Sequence, residues 1–341
     1  MKAKVIIVLF FLFILNGCTN LESEKNDLKE MNLKGKVKSL KKFTYKAIEN
    51  FGEIIKGEKK IKTGINDNIH IIFNKKGNKI EEVDYNSDVR LNEQRIYEYD
   101  NNGNNIESNV YNSDGSFEHK YIKKYDDNGN NIELKVLNSD GSPGNKWIYK
   151  YDDDANNIEI NMFLSDGSLY YKHINKYDDN GNNIEENWYN SDGIFDFKWI
   201  YKYDGNGNII EMNYYNSDGS LGNKWIKKYD DNGNKIEGNE YNSDDSLDYK
   251  RIYKYDDNGN LIEENVYNSD GSLEYKSKMI YKYDKNRNII EYIDIYTSSN
   301  LTNHITSIKY QFDDMGNWIK QVEYKNEIPK FIIEREIEYY N

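Results

Sequence analysis

Residues 169–193, LYYKHINKYDDNGNNIEENWYNSDG, hold two runs in which large and polar side chains alternate, each closed by a turn rich in Asp, Asn, Ser and Gly. Alternation with a period of two marks a β-strand that turns one face towards a core. Asp and Asn bond their own backbone in turns, and Gly supplies positive φ at no steric cost. The unit is therefore a hairpin plus a return turn, and it repeats. Tyr99, Tyr125, Tyr151, Tyr177, Tyr203, Tyr229 and Tyr255 are spaced by 26 residues, each followed by Asp and, with one substitution, by Gly four positions on. A fixed period of this length identifies an array whose units bury their faces against their neighbours.

With Tyr177 opposite Ile184 across the Asp-Asn-Gly turn, Lys176 faces Glu185, Ile174 faces Asn187 and His173 faces Trp188. That register collects Tyr, Ile and Trp on one surface and Lys and Glu on the other, whereas a slip of one residue scatters rings over both. Each Lys–Glu rung contributes only about 0.2–1 kcal/mol, so it sets register more than it stabilises. The expected fold is all-β: tandem antiparallel hairpins of 26 residues forming one long, curled meander sheet. About eighteen strands at roughly 4.8 Å spacing make it some 80 Å across, and sheets that wide curl, here into an open trough, a shell or a wide roll. Ala155 and Arg287 occupy the Gly slot in two copies, where a neighbouring Asn is expected to take the left-handed conformation. Phe73 to Asn78 is a worn copy of the turn, so the array begins before its clear part. Residues 331–340, FIIEREIEYY, read as a charged last strand that keeps the sheet edge from pairing with another molecule.

The chain of 341 residues has 32 Tyr against 2 Pro and a formal charge of -13. Tyr suits pleated, half-buried surfaces. The acidic balance argues against nucleic acid, which demands clustered basic residues. Residues 1–18, MKAKVIIVLFFLFILNGC, combine two lysines, an apolar run and a small-residue approach to the single cysteine. This is a secretory leader, too short to span a membrane as a mature helix. The ending Leu15-Asn16-Gly17-Cys18 resembles the lipobox of bacterial lipoproteins, which implies acylation of Cys18 and a stable membrane anchor through more than one acyl chain. Thr19 follows in place of Asp, which by the enterobacterial sorting rule permits passage to the outer membrane of a diderm cell. The expected organisation is a signal peptide over 1–17, lipidated Cys18 with a polar tether over 18–34, an irregular part of the array over 35–98, regular repeats over 99–283, and C-terminal repeats with a capping strand over 284–341.

The units Tyr-Asp-Asp-Asn-Gly-Asn resemble YD repeats, the building blocks of RHS proteins, whose tandem hairpins spiral into hollow β shells and which are often labelled sugar-binding. The stretches Leu33-Lys34-Gly35-Lys36-Val37-Lys38 and Phe312-Asp313-Asp314-Met315-Gly316-Asn317-Trp318 look like the ends of small RHS-like exported proteins. The usual Gly-Arg-Leu after Tyr-Asp is Gly-Asn-Asn-Ile here, and no toxin or self-cleaving segment follows.

Trp147, Trp199 and Trp225 share one slot of the repeat, with Trp188 in the facing slot; Tyr121, His173 and Arg251 fill the first slot elsewhere. Such rows either pack as core or stack on sugar rings. Asp178, Asn180, Asn182 and Glu185 are oxygen ligands of the kind a calcium loop uses, but the Gly comes four residues into the loop and not six and the helix-loop-helix ligand spacing is absent, so turn chemistry is the reading and no metal and no cofactor is expected. The histidines His70, His119, His173 and His304 are scattered, and paired carboxylates recur in every unit as turns and ladders do, so the expectation is a non-enzyme. It is an envelope lipoprotein facing the periplasm or the cell exterior, acting as a binding scaffold for glycan or protein; the alternatives are a purely structural or antigenic envelope protein and a polysaccharide-active hydrolase.

Overall fold

The computed structural model describes residues 26–60, 68–86, 88, 90–284, 288–298 and 304–341; Cys18, the leader and Arg287 lie outside the described residues. Within them are 23 strands, paired antiparallel, and one helical turn, Asp27–Glu30. In the repeat that opens the sequence reading, Leu169–Tyr177 pairs with Asn183–Tyr189 through Lys176 with Glu185, Ile174 with Asn187 and His173 with Trp188, as expected. Tyr177 differs. It pairs with Asn183, and the register shift leaves Ile184 as the extra residue of a bulge.

That bulge explains the 26-residue tyrosine. From Tyr125 to Tyr255 the repeated Tyr reaches back to the hairpin before it and donates its hydroxyl to a backbone carbonyl at the foot of that hairpin's second strand, whereas Tyr99 donates to Asp27 Oδ2. Tyr177 bonds Asn157 O at 3.0 Å, Tyr203 bonds Asn183 O at 2.6 Å and Tyr229 bonds Ile209 O at 3.0 Å. Each strap is worth about 0.5–1.5 kcal/mol and satisfies a carbonyl next to the register shift. The Asp after each Tyr builds the turn. Asp178 Oδ1 accepts the Asn180 and Asn182 backbone N–H groups at 3.0 and 2.8 Å, while its Oδ2 accepts the Asn182 side-chain amide at 2.9 Å. Gly181 sits at φ 80°, and Ala155 adopts φ 62° in the same slot. The left-handed residue is therefore Ala155 itself and not a neighbouring Asn, because the Asp152 clamp on Asp154 and Asn156 holds the rest of the turn in place.

The sheet closes on itself. The first strand, Val37–Asn50, pairs with the last, Ile328–Tyr339, along one edge and with Ile69–Phe73 along the other, while Glu53–Lys59 folds back on its C-terminal half. Apart from that side hairpin, 22 strands form a barrel. The open trough is thus ruled out, and the count of about eighteen strands was low because residues 35–98 supply full strands. Nor is the last strand a protected free edge. Its charges face partners at the seam, Lys56 Nζ lying 2.8 Å from Glu334 and Lys38 Nζ 3.6 Å from Glu338.

The compact apolar cluster lies beside this seam. Leu28 and Leu33 pack with Val37, Leu40, Ile69, Ile71 and Phe73. Residues 26–34, expected to belong to a tether, are docked by this packing and by polar latches. Lys34 N–H donates to Asn317 Oδ1 while Asn317 Nδ2 donates back to Lys34 O, both at 2.8 Å, and Lys79 N–H donates to Asp27 Oδ2 at 2.6 Å. Two leucines among charged residues look like linker until five apolar partners from two strands are brought over them.

The ring-bearing face lines the barrel. Trp199 and Trp225 lie two strands apart, a separation of about 9.5 Å on a flat sheet, yet their ring centroids are 5.2 Å apart. On this face burial lowers the ammonium pKa of Lys123 and Lys227 and raises the Tyr201 phenol. On the other face the laddered lysines stay open to water, Lys124 being 62% and Lys176 59% exposed. With untilted strands a round barrel of 22 has a backbone diameter of roughly 34 Å, and strand tilt widens it, so inside its side chains the bore is roughly 20 Å or more.

The outward face is a charge ladder. Lys150, Lys176, Lys202 and Lys254 bind Glu159, Glu185, Glu211 and Glu263 at 2.8, 2.8, 3.0 and 2.9 Å. Several of these glutamates also take a lysine from the next hairpin, such as Lys276 on Glu263 at 2.9 Å. Hydrogen bonds from Lys254, Lys276 and Asn265 bring the Glu263 carboxyl down to about 2. A lipid-facing barrel needs an apolar outer band, and this one presents charged rungs instead. Among the described residues no helix is long and apolar enough to cross a membrane.

Candidate binding site

The inner wall carries a continuous row of rings across five neighbouring strands. His173 stacks on Trp188 with centroids 4.2 Å apart and planes 17° apart, and Trp188 stacks on Phe197 at 5.5 Å. Phe197 leads to Tyr214 at 5.6 Å, Tyr214 to Trp199 at 5.1 Å, and Trp199 to Trp225. Neighbouring strands bring these positions side by side because their register puts His173, Phe197 and Trp199 on the ring face opposite Trp188 and Tyr214. All the rings but His173 are half-buried, and Trp188 is flanked face to face by His173 and Phe197.

Of the tryptophans expected to act together, Trp188, Trp199 and Trp225 do meet. Trp147 does not join them: it shares the slot, but its paired neighbours are Leu134 and Met162, and Met162 stands between it and Tyr171. The second strand of the preceding repeat lacks the aromatic that would have continued the row. Phe197 and Tyr214 belong to the row but were not singled out from sequence, since only tryptophans were traced from repeat to repeat.

Beyond Trp225 the row ends in charge. Trp225 Nε1–H donates to Glu240 Oε2 at 2.7 Å, and Asn223 Nδ2 donates to Glu240 Oε1 at 3.2 Å. Burial, then the hydrogen bond with Glu240, pushes the Tyr249 phenol up to about 12. Next to this carboxylate a cavity of about 200 Å³ opens in the wall at Gly238. Gly238 pairs with Lys227 on one side and Arg251 on the other. In the same slot other repeats carry Glu82, Ser108, Leu134, Ile160, Glu186, Met212 and Glu264, so the cavity is a missing side chain. Lys227 Nζ meets the Met212 sulfur at 3.1 Å, and Lys235 Nζ lies 4.3 Å from the Tyr253 ring centroid. Burial, and then the charge of Lys235, lowers the Lys227 pKa. Sequence reasoning passed over Gly238 because it treated the repeats as equivalent; lining them up column by column is the signal that reveals it.

Asp178 and Glu185, considered for calcium, are otherwise engaged. Asp178 holds its turn, and Glu185 accepts Lys176 and Asn187 at 2.8 and 2.6 Å.

No protein-family model and no curated protein matches the chain. Among solved structures, it resembles the TcdB2-TccC3-Cdc42 structure at 12% identity and TM-score 0.32, covering 83% of this chain and 17% of that one. It resembles the Tc holotoxin pore of Photorhabdus luminescens at 11% identity and TM-score 0.30, covering 78% and 19%. A porin-like protein from Bacteroides uniformis matches at 8% identity and TM-score 0.31 over 89% of this chain and 98% of that one. The chain spans less than a fifth of the length of the two toxin chains. The superpositions are loose, and the architecture rests on the strand pairing.

Proposed function

We propose that this protein is a lipid-anchored, extracytoplasmic component of a bacterial cell envelope whose YD-type hairpin barrel binds carbohydrate along its inner wall. The observation that carries this is the row of half-buried rings from His173 to Trp225, whose tilted members Trp199, Tyr214 and Trp225 keep exposed surface beside a lumen wide enough to admit a glycan chain. Aromatic faces bind the apolar faces of sugar rings, while the polar tips of Tyr and Trp orient them. The anchor follows from the lipobox at Cys18, and the charged outer rungs keep the strands out of lipid, so the acyl chains alone hold the protein at the membrane. The repeating carboxylates are absorbed by turns and ladders, and no catalytic step is assigned to them.

A glycan array probed with the full chain tests this. Binding that Trp199→Ala and Trp225→Ala abolish, with the circular dichroism of the fold retained, is the expected result. Silence across all glycans would leave a structural envelope protein as the better account. Metabolic labelling with a radioactive fatty acid, lost in Cys18→Ser, tests the anchor separately.

A further inference from the structure

Gly238 is in the middle of a strand, where glycine weakens a sheet. Its backbone does not call for glycine: it is absent from the positive-φ positions, and a Cβ built there meets nothing within 4 Å. The position therefore has room for a Cβ, and this repeat leaves that space open. The neighbours make the choice costly. Lys227 and Arg251 flank the gap by register, and Lys235 reaches it from the foot of the same strand. The next repeat places a carboxylate in this slot, Glu264, whose Oε1 lies 3.7 Å from Arg251 Nη1, whereas the repeat before has the neutral Met212. A glutamate at 238, such as Glu186 and Glu264 supply in their own repeats, would stand between Lys227 and Arg251.

Within the cavity, Glu240 is the carboxylate, and its oxygens are taken by Trp225, Asn223 and Tyr249. Among the described residues, Lys227 and Lys235 have no carboxylate within ion-pair distance, their contacts being the Met212 sulfur and the Tyr253 ring. Arg251 Nε is buried without a hydrogen-bond partner. Lys227, desolvated by its surroundings and without a carboxylate partner, gains from a bound anion, and so does the unpaired Nε of Arg251, whose Nη1 already has Glu264 at 3.7 Å. Trp225 at one wall and Tyr249 and Tyr253 at the other give the pocket aromatic sides.

We infer that the Gly238 cavity is a subsite for the anionic substituent of a charged saccharide, with Lys227, Lys235 and Arg251 receiving the anion and Trp225 carrying the sugar ring. The inference rests on the carbohydrate reading above and adds to it a charge class and a position: the acidic sugar lies at the Trp225 end of the row. The carboxylate of a uronic acid and the sulfate of a sulfated sugar share this chemistry. The cavity holds about 200 Å³, so it takes one substituted unit while flanking units run along the rings.

Titration calorimetry of the full chain with an oligogalacturonate, its methyl ester and a sulfated oligosaccharide tests the inference. The expected result is at least tenfold tighter binding of one charged oligomer than of the neutral ester, and which charged oligomer wins identifies the anion. Gly238→Glu fills the cavity with the residue its sister repeats tolerate; it should remove the charge preference and leave the neutral affinity within twofold. Lys227→Met should reduce the preference without altering the fold. Equal binding of ester and acid, or a preference that survives Gly238→Glu, overturns the subsite and leaves carbohydrate binding standing. Failure of every oligomer to bind overturns the subsite, while silence across the whole glycan array is what overturns the carbohydrate reading.

Discussion

Replacing Leu40 with Ala tests whether the barrel is held shut where the structure says it is. Leu40 has no exposed surface, and its backbone pairs with Ile337 of the last strand on one side and Ile71 on the other. Around it stand Val37, Ile69, Ile71, Phe73, Leu28 and Leu33. Leu→Ala in a core costs about 2–5 kcal/mol, and the cost rises when the walls cannot relax into the space. Here the walls are strands paired on both sides, so the upper half of that range is expected. At about 4 kcal/mol the folded-to-unfolded ratio falls several-hundred-fold. The control is Ile280→Ala, on the outer face and 37% exposed, which should cost about 1 kcal/mol or less. Urea unfolding followed by circular dichroism gives both values, and hydrogen exchange locates the damage. Amides of residues 37–46 and 331–339 should lose protection before those of the central repeats. Equal costs at Leu40 and Ile280, or first loss of protection in the repeats, would refute closure through this seam.

The outer ladder makes the protein acid-labile. Glu263, with a carboxyl at about 2 against an ordinary 4.5, contributes stability that is present above pH 4.5 and is lost as the pH falls towards 2. The urea midpoint should therefore drop across that window, with the drop shallower in Glu263→Gln; a flat midpoint from pH 5 to pH 2 would contradict the ladder. Since each rung is partly solvated, Glu263→Gln itself should cost only about 0.5–1 kcal/mol at neutral pH. Ala155→Gly should stabilise the chain by roughly 0.5–1 kcal/mol, because the strain of a left-handed alanine at φ 62° outweighs the extra freedom that glycine gives the unfolded chain. A lowered melting temperature in that variant would show that Ala155 is not strained. Tyr177→Phe removes the strap to Asn157 O and should cost about 0.5–1.5 kcal/mol, read from the same unfolding curves; no change would make the hydroxyl bond incidental.

Much of the local structure was legible because a β-hairpin carries its own instructions. Alternation in 169–177 and 183–189 separates the faces, and the Asp-Asn-Gly turn fixes where the chain reverses, so Lys176 and Glu185 could be paired from sequence. The Tyr177 strap was not legible, because its acceptor is a main-chain carbonyl 20 residues back, and carbonyls have no letter. The site was half legible: the tryptophan slot could be traced, and Tyr214 is the slot of Trp188 one period on, facing Trp199 within its hairpin, but the meeting of Phe197 with Trp188 comes from register between hairpins. The Gly238 cavity consists of an absence between Lys227 and Arg251, and which cations border it depends on two neighbouring strands.

By itself, then, the sequence determined the hairpin, its period, the division into a ring face and a charged face, and the pairing across each turn, since all of these arise between residues a few positions apart. Closure was decided only in three dimensions. Whether a curled meander ends in two edges or in a seam depends on curvature accumulated over the whole sheet, and on Leu28 and Leu33 meeting strands that bring the two ends of the chain together. The same curvature turned the rings inward, converting a striped sheet into a lined tube.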